Sequence, residues 1–422
     1  MAGNRTIVEV FMKHLHPTIF ALTASLASAL TPLACGEFSS GSSGSGAAIP
    51  GDASMHRAML TSLAYNAIAP SYEAAASAAT TLATTTTTYA AAAASGTGAE
   101  EQRATAQAAW LDAVTAWEVV EQMQLGPAAA AEAGIGGAGK RDEVYSWPTV
   151  NPCRIDQELV AQGYLQGDFF TANLVNTYGL DALEYLLFYS GDANACAPQL
   201  PINVDGTWAA IGPDEIAKRR ADYATAVATA LATEVAGLAQ SWSAADGPFT
   251  MALADPDANE SPYGTIRGGL NEVVRAMFYL DLEVKDDKLG VPAGVLECTA
   301  APCIADLEFV HAQRSKEAVL ANLEGFKRLF HGGTDAAQHT GFDDLLVSIG
   351  EGPLADSMAA SIETALTTCG AVEGSFTAAL TADTAALNAC HTSVREVTNW
   401  LKGDFSTLLM LSIPSEAAGD AD

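Results

Sequence analysis

Apolar residues recur every three or four positions along most of this chain, and almost nowhere at every second one. That period belongs to helices with one buried face, so the predicted fold is all-α with no substantial sheet. Between Ala99 and Met123 the series Trp110, Val114, Trp117, Glu121 keeps helical spacing. Between Asp214 and Trp242 the series is Ile216, Tyr223, Val227, Leu231, Val235, Leu238. The same pattern predicts helices over 52–93, 168–188, 261–285, 306–330, 352–369 and 383–402. The β-branched run Thr84–Thr88 disfavours a helix locally, but it sits in an Ala-rich frame and is read as helical. Gly and Pro mark long loops at about 124–167, 190–213, 244–262, 286–305 and 331–341. About eight helices joined this way predict two four-helix bundles, over 52–245 and 246–412. Half the residues are apolar, enough for a sizeable core.

The first 35 residues read as an export signal. Arg5 and Lys13 precede an uncharged stretch from Thr18 to Ala34 that is too short and Ser/Thr-rich to span a membrane. Two processing schemes stay open. Ala27-Ser28-Ala29 suits ordinary cleavage, and Leu33-Ala34-Cys35-Gly36 looks like a lipoprotein box that lipidates Cys35. Residues 36–51 are a Ser/Gly-rich tether of the kind that holds a domain off a surface. Residues 413–422 are read as an acidic tail.

With Cys35 assigned to lipid, six cysteines remain, an even number in an exported protein. They can pair in 15 ways. Nearness in sequence suggests Cys298–Cys303 and Cys369–Cys390, leaving Cys153–Cys196. No Cys-x-x-Cys spacing supports a metal cluster. The formal net charge of −30 repels phosphate backbones and excludes nucleic acid as a natural partner, while favouring cations.

A short repeat points to duplication. Gly179-Leu180-Asp181-Ala182-Leu183 recurs as Gly341-Phe342-Asp343-Asp344-Leu345, 162 positions on. Extended through Glu184-Tyr185-Leu186-Leu187-Phe188, the first copy resembles the signature of the imelysin-like proteins. So do Ala116-Trp117-Glu118 leading to Gly126-Pro127, Tyr145-Ser146-Trp147-Pro148, Asp287-Lys288-Leu289-Gly290-Val291-Pro292, and the second copy continued to Leu346. These motifs span about 110–350. The resemblance implies two related four-helix bundles in an exported or lipid-anchored bacterial protein, often linked to iron acquisition. The family was named for a peptidase, yet many members look like binding proteins. Its motif is Gly-x-His-x-x-Glu. Here Gly179 and Glu184 match, but Asp181 stands at the His position, which weakens any metal or haem site carried over from the family without abolishing a hard-cation site.

Asp181 and Glu184 lie three apart, on one helix face, and are the candidate ligands for iron or another divalent cation. If the halves are related by a pseudo-two-fold, Asp343 joins them. In the competing reading Asp181 merely starts the helix and Glu184 pairs with Arg267 or Arg275. Tyr145 and Trp147 either wall a ligand pocket or plug their loop onto the bundle. His331 and His339 share a Gly-rich loop that could hold a metal, whereas His311 and His391 read as ordinary helix residues. Neither His-Glu-x-x-His nor a Gly-x-Ser-x-Gly elbow occurs in a catalytic context, and Gly134-Ile135-Gly136-Gly137 follows no strand. The expectation is an exported metal- or ligand-binding protein of the periplasm or cell surface, held to the membrane by lipid alone and serving envelope uptake proteins. A peptidase and a ligand-free surface protein are the alternatives.

Overall fold

The computed structural model describes residues 48–418, apart from residue 383. The export signal, Cys35 and most of the tether lie outside the described residues, as do residues 419–422 of the tail. The described chain is one compact unit, helical throughout, with no strand among the described residues. Numbering only the longer helices, α1 (Ala53–Ser62) passes through a π-helical turn (Leu63–Ile68) into α2 (Ala69–Ser95), and α3 (Ala99–Glu121) follows. Gly96 and Gly98, at φ of 70° and 71°, make the turn between α2 and α3. The threonine run inside α2 stays helical because its hydroxyls bond backwards. Thr84 Oγ1 donates to the Thr80 carbonyl at 3.0 Å, and Thr87 Oγ1 to that of Ala83 at 2.8 Å.

The next helices are α4 (Leu180–Phe188), α5 (Pro213–Ser241) and α6 (Ile266–Met277), the last running on into a π-helical segment, Leu280–Gly290. Thr265 starts α6 by accepting the Gly268 N–H at 3.0 Å. Then come α7 (Ser315–His331), α8 (Gly352–Gly370) and α9 (Thr384–Trp400). In the first bundle α2 packs on α3 and α5, and α4 packs on the same two helices. In the second, α8 packs on α7 and α9, which both meet the π-helical segment. Contact between α3 and α7 joins the halves, and α1 packs with the second group. The aromatic series read from the sequence is core: Trp110 and Trp117 are both buried, and Trp110 Nε1 donates to the Leu180 carbonyl at 2.8 Å, pinning the start of α4.

Two predicted helices are shorter than expected, and both losses matter for the site. The 168–188 helix begins in earnest only at Leu180, because Gly179 sits at φ 100°. The 306–330 helix begins at Ser315, after Gln313 at φ 56° breaks the run. The irregular stretch before it is free to carry Glu308 and His311 elsewhere. The long 124–167 loop also contains short helices, Lys140–Val144 and Pro152–Ala161, the second capped by Asn151.

All three disulfides form as the spacing suggested: Cys153–Cys196, Cys298–Cys303 and Cys369–Cys390. The first closes a loop with a sequence separation of 43 and the second one of only 5. Loop-closure entropy then ranks them. Replacing Cys153 and Cys196 by serine is expected to remove about 3–4 kcal/mol of stability, against about 2 kcal/mol for the Cys298 and Cys303 pair. Urea unfolding of the two double variants checks the order, and equal losses would contradict the entropic account.

Candidate cation site

A cavity of about 450 Å³ opens where α4, the 147–152 stretch, the π-helical segment and the 305–311 stretch meet. Five acidic residues line it, Asp181, Glu184, Asp287, Asp306 and Glu308, together with His311. Among the described residues no lysine or arginine lines it. Trp147 forms part of the wall.

The Asp181 and Glu184 carboxyls reach this cavity from one face of α4, as their spacing predicted. Gly179 permits it: a Cβ there would lie 2.9 Å from Asp181 Oδ1 and 3.0 Å from the Val144 carbonyl oxygen, in a backbone conformation side chains avoid. Asp181 Oδ2 accepts the Ser146 hydroxyl at 2.7 Å, and Oδ1 accepts the Ala182 N–H at 2.9 Å. Glu184 Oε1 accepts two backbone N–H groups, from His311 and Ala312, each at 2.8 Å. Its Oε2 has no partner among the described residues. The expected arginine partner is therefore absent. Arg275 instead pairs with Glu272 at 3.1 Å and donates to the Gln124 carbonyl, while Arg267 donates to that of Met410.

Burial makes both acids bind their protons more tightly than free carboxyls do. It pushes Asp181 up to about 6, against the opposing hydrogen bonds from Ser146 and Ala182. Glu184 rises further, to about 8, because burial outweighs the two N–H donors and the Asp181 and Glu308 charges add to it. Burial also lowers His311, leaving a neutral imidazole with a lone pair to offer.

Glu308 ties this cavity to a buried charge cluster. Its Oε1 accepts the Tyr145 hydroxyl at 2.7 Å and lies 2.7 Å from Lys288 Nζ, but its Oε2 is buried with no partner. Lys288 Nζ also meets Glu118 Oε2 at 2.6 Å, Glu121 Oε2 at 3.1 Å and Asn322 Oδ1 at 3.1 Å. Glu121 in turn takes Arg141 Nε at 3.0 Å and a short hydrogen bond from the Tyr279 hydroxyl. Burial and the Glu308 charge push Glu118 well up. Burial pulls Lys288 down, but the surrounding carboxylates outweigh it and keep it charged.

The remaining candidates divide. Trp147 is a cavity wall, while Tyr145 is fully buried and acts from beneath through Glu308. Asp343 does not converge with the α4 acids, which corrects the pseudo-two-fold expectation. Its Oδ2 lies 2.6 Å from His331 Nδ1, at the end of α7. The second repeat copy keeps Gly341 on steric grounds alone, its backbone being extended: a Cβ would lie 2.5 Å from Asp343 Oδ1 and 2.3 Å from the Phe330 carbonyl. It puts buried Leu346 where the first copy has Glu184, so only one half carries an acidic pair. Arg275 lines a separate cavity of about 600 Å³, also outside the site. His311, read as an ordinary helix residue, sits in an irregular turn and lines the cavity. Its ring packs against Tyr185 and Tyr189. One signal of the cluster is local: Glu118 and Glu121 stand beside Trp117 on a helix whose other buried side chains are mostly apolar.

The family model Imelysin matches residues 68–399, most of the chain. The chain belongs to the imelysin family. Two solved structures share the fold of this imelysin. One is a protein of Parabacteroides distasonis described as an iron-regulated protein A precursor, 18% identical, TM-score 0.66, covering 86% of this chain and 97% of that one. The other is an imelysin-like protein of Psychrobacter arcticum, 15% identical, TM-score 0.63, covering 87% of this chain and 99% of that one. Comparison with curated proteins returns no match. Among the described residues, no helix of this imelysin is long and apolar enough to cross a membrane.

Proposed function

We propose that this chain is an exported cation-binding protein of the cell envelope, serving the acquisition of iron or another divalent metal. The observation that carries the reading is the cavity's chemistry: five carboxyls, one neutral imidazole and no ammonium or guanidinium group. Asp181 and Glu184 are the proposed first oxygen ligands; Glu308 and His311, whose ligand atoms do not cluster with them in the structure, close in on binding, and the imidazole nitrogen favours Fe²⁺ or Mn²⁺ over Ca²⁺. A bound cation would also compensate the charge on Asp181 and Glu184, which burial otherwise disfavours. The basic, then uncharged, N-terminus supports export, and Cys35 supports a lipid anchor. The iron-regulated character named for the Parabacteroides protein supports iron.

Equilibrium dialysis of the mature chain at pH 8 against Mn²⁺, anaerobic Fe²⁺, Zn²⁺ and Ca²⁺ tests the reading. One tight site is expected, weakened about tenfold or more by Glu184→Gln and by Asp181→Asn. Affinity unchanged in both variants would overturn it.

A further inference from the structure

Resting on that reading, we propose that the cation site is regulated from the second cavity, through a continuous buried chain of polar contacts running Glu308–Lys288–Glu121–Tyr279. Each link is a direct contact. Glu308 lines the acidic cavity and meets Lys288 at 2.7 Å; Lys288 meets Glu121 at 3.1 Å; Tyr279 donates to the same Glu121 oxygen and lines the 600 Å³ cavity. One π-helical segment serves both ends, sending Asp287 to the first cavity, Glu283 to the second, and Lys288 to the core between them.

The responsive group at the far end is Glu283. Burial pushes it up to about 7, opposed by Arg141 and Lys288 and reinforced by Glu121 and Asp287. Glu272, Arg275 and Glu132 share its cavity, with Glu272 and Arg275 paired to each other. Three glutamates compete for the Lys288 ammonium. When a cation takes the Glu308 charge in the first cavity, Lys288 is left to neutralise Glu118 and Glu121 more fully. Glu283 then faces less negative charge and gives up its proton more easily. Linkage makes the effect reciprocal: a proton, or a small amine, that neutralises Glu283 weakens cation uptake at the first cavity.

The test follows the Glu283 carboxyl by side-chain ¹³C NMR, with Glu283→Gln used to assign it, and measures Mn²⁺ affinity in parallel. Glu308→Gln is expected to move the Glu283 midpoint to lower pH without any metal present, as is Mn²⁺ in the wild-type chain. Glu283→Gln is expected to weaken Mn²⁺ binding about fivefold or more. Tyr279→Phe, which removes only the hydroxyl, is expected to shrink both effects. A Glu283 midpoint indifferent to Glu308→Gln, or effects untouched by Tyr279→Phe, would overturn the coupling. The two readings fail separately. If Mn²⁺ does not bind at all, the cation site is lost and the coupling stands or falls on Glu308→Gln alone.

Discussion

A Lys288→Met protein is expected to unfold about 3–5 kcal/mol more easily than the natural chain at pH 7. The substitution is close to isosteric, so packing is largely kept and the loss is electrostatic. Lys288 is fully buried and its ammonium meets the carboxyls of Glu118, Glu121 and Glu308, all of them buried too. Without it, Arg141 is the remaining cation in contact with the group, and it reaches only Glu121. Buried carboxyls stripped of their counter-ion escape by binding protons, so the loss should narrow as the pH falls towards 5. Urea unfolding at both pH values measures it. A loss below about 1 kcal/mol at pH 7, or one that does not change with pH, would show that Lys288 does not compensate the buried carboxyls as described.

The second large effect concerns Glu184 and has the opposite sign. Its carboxyl, at about 8 in the folded chain against an ordinary 4.5, binds its proton more tightly folded than unfolded. Its stabilising contribution is therefore complete below about pH 4.5 and is lost progressively as the pH rises through 8. Gln at this position keeps a carbonyl for the His311 and Ala312 N–H groups and cannot ionise. Glu184→Gln should match the natural chain at pH 4.5 and exceed its stability by roughly 3–5 kcal/mol at pH 8 in the absence of metal. Thermal or urea unfolding across that range, with chelator present, checks it. Adding Mn²⁺ at pH 8 should raise the natural chain and leave the variant nearly unmoved. A variant less stable than the natural chain at pH 8 would mean that Glu184 is charged and satisfied without a cation.

The helices were legible because their period depends only on local spacing. Even the Thr84–Thr88 run, locally unfavourable, stayed helical through bonds to its own backbone. The breaks were less legible. Gln313 adopts φ 56°, a conformation set by tertiary packing rather than by residue type. That break removes Glu308 and His311 from the expected helix and puts them at the cavity. The α4 acids could be named from sequence because i, i+3 spacing and a matching motif single them out. Lys288, Glu118 and Glu121 could not be given roles that way. A charged residue on an apolar face shows that a partner must exist, but that partner lies 170 positions away on another element. The pseudo-two-fold expectation failed for a simpler reason: the second copy preserves the glycine and aspartate that build the turn, and has Leu346 where a second acidic ligand would stand.

Anomalous diffraction from crystals of the mature chain grown with Mn²⁺ at pH 8 tests the central claim most directly. The account expects one strong peak in the cavity, at oxygen-ligand distances of about 2.1–2.4 Å from the Asp181, Glu184 and Glu308 carboxylates, and gone in Glu184→Gln crystals. No peak there, or ions found only against outer carboxylates such as Asp255 and Asp257, would contradict it.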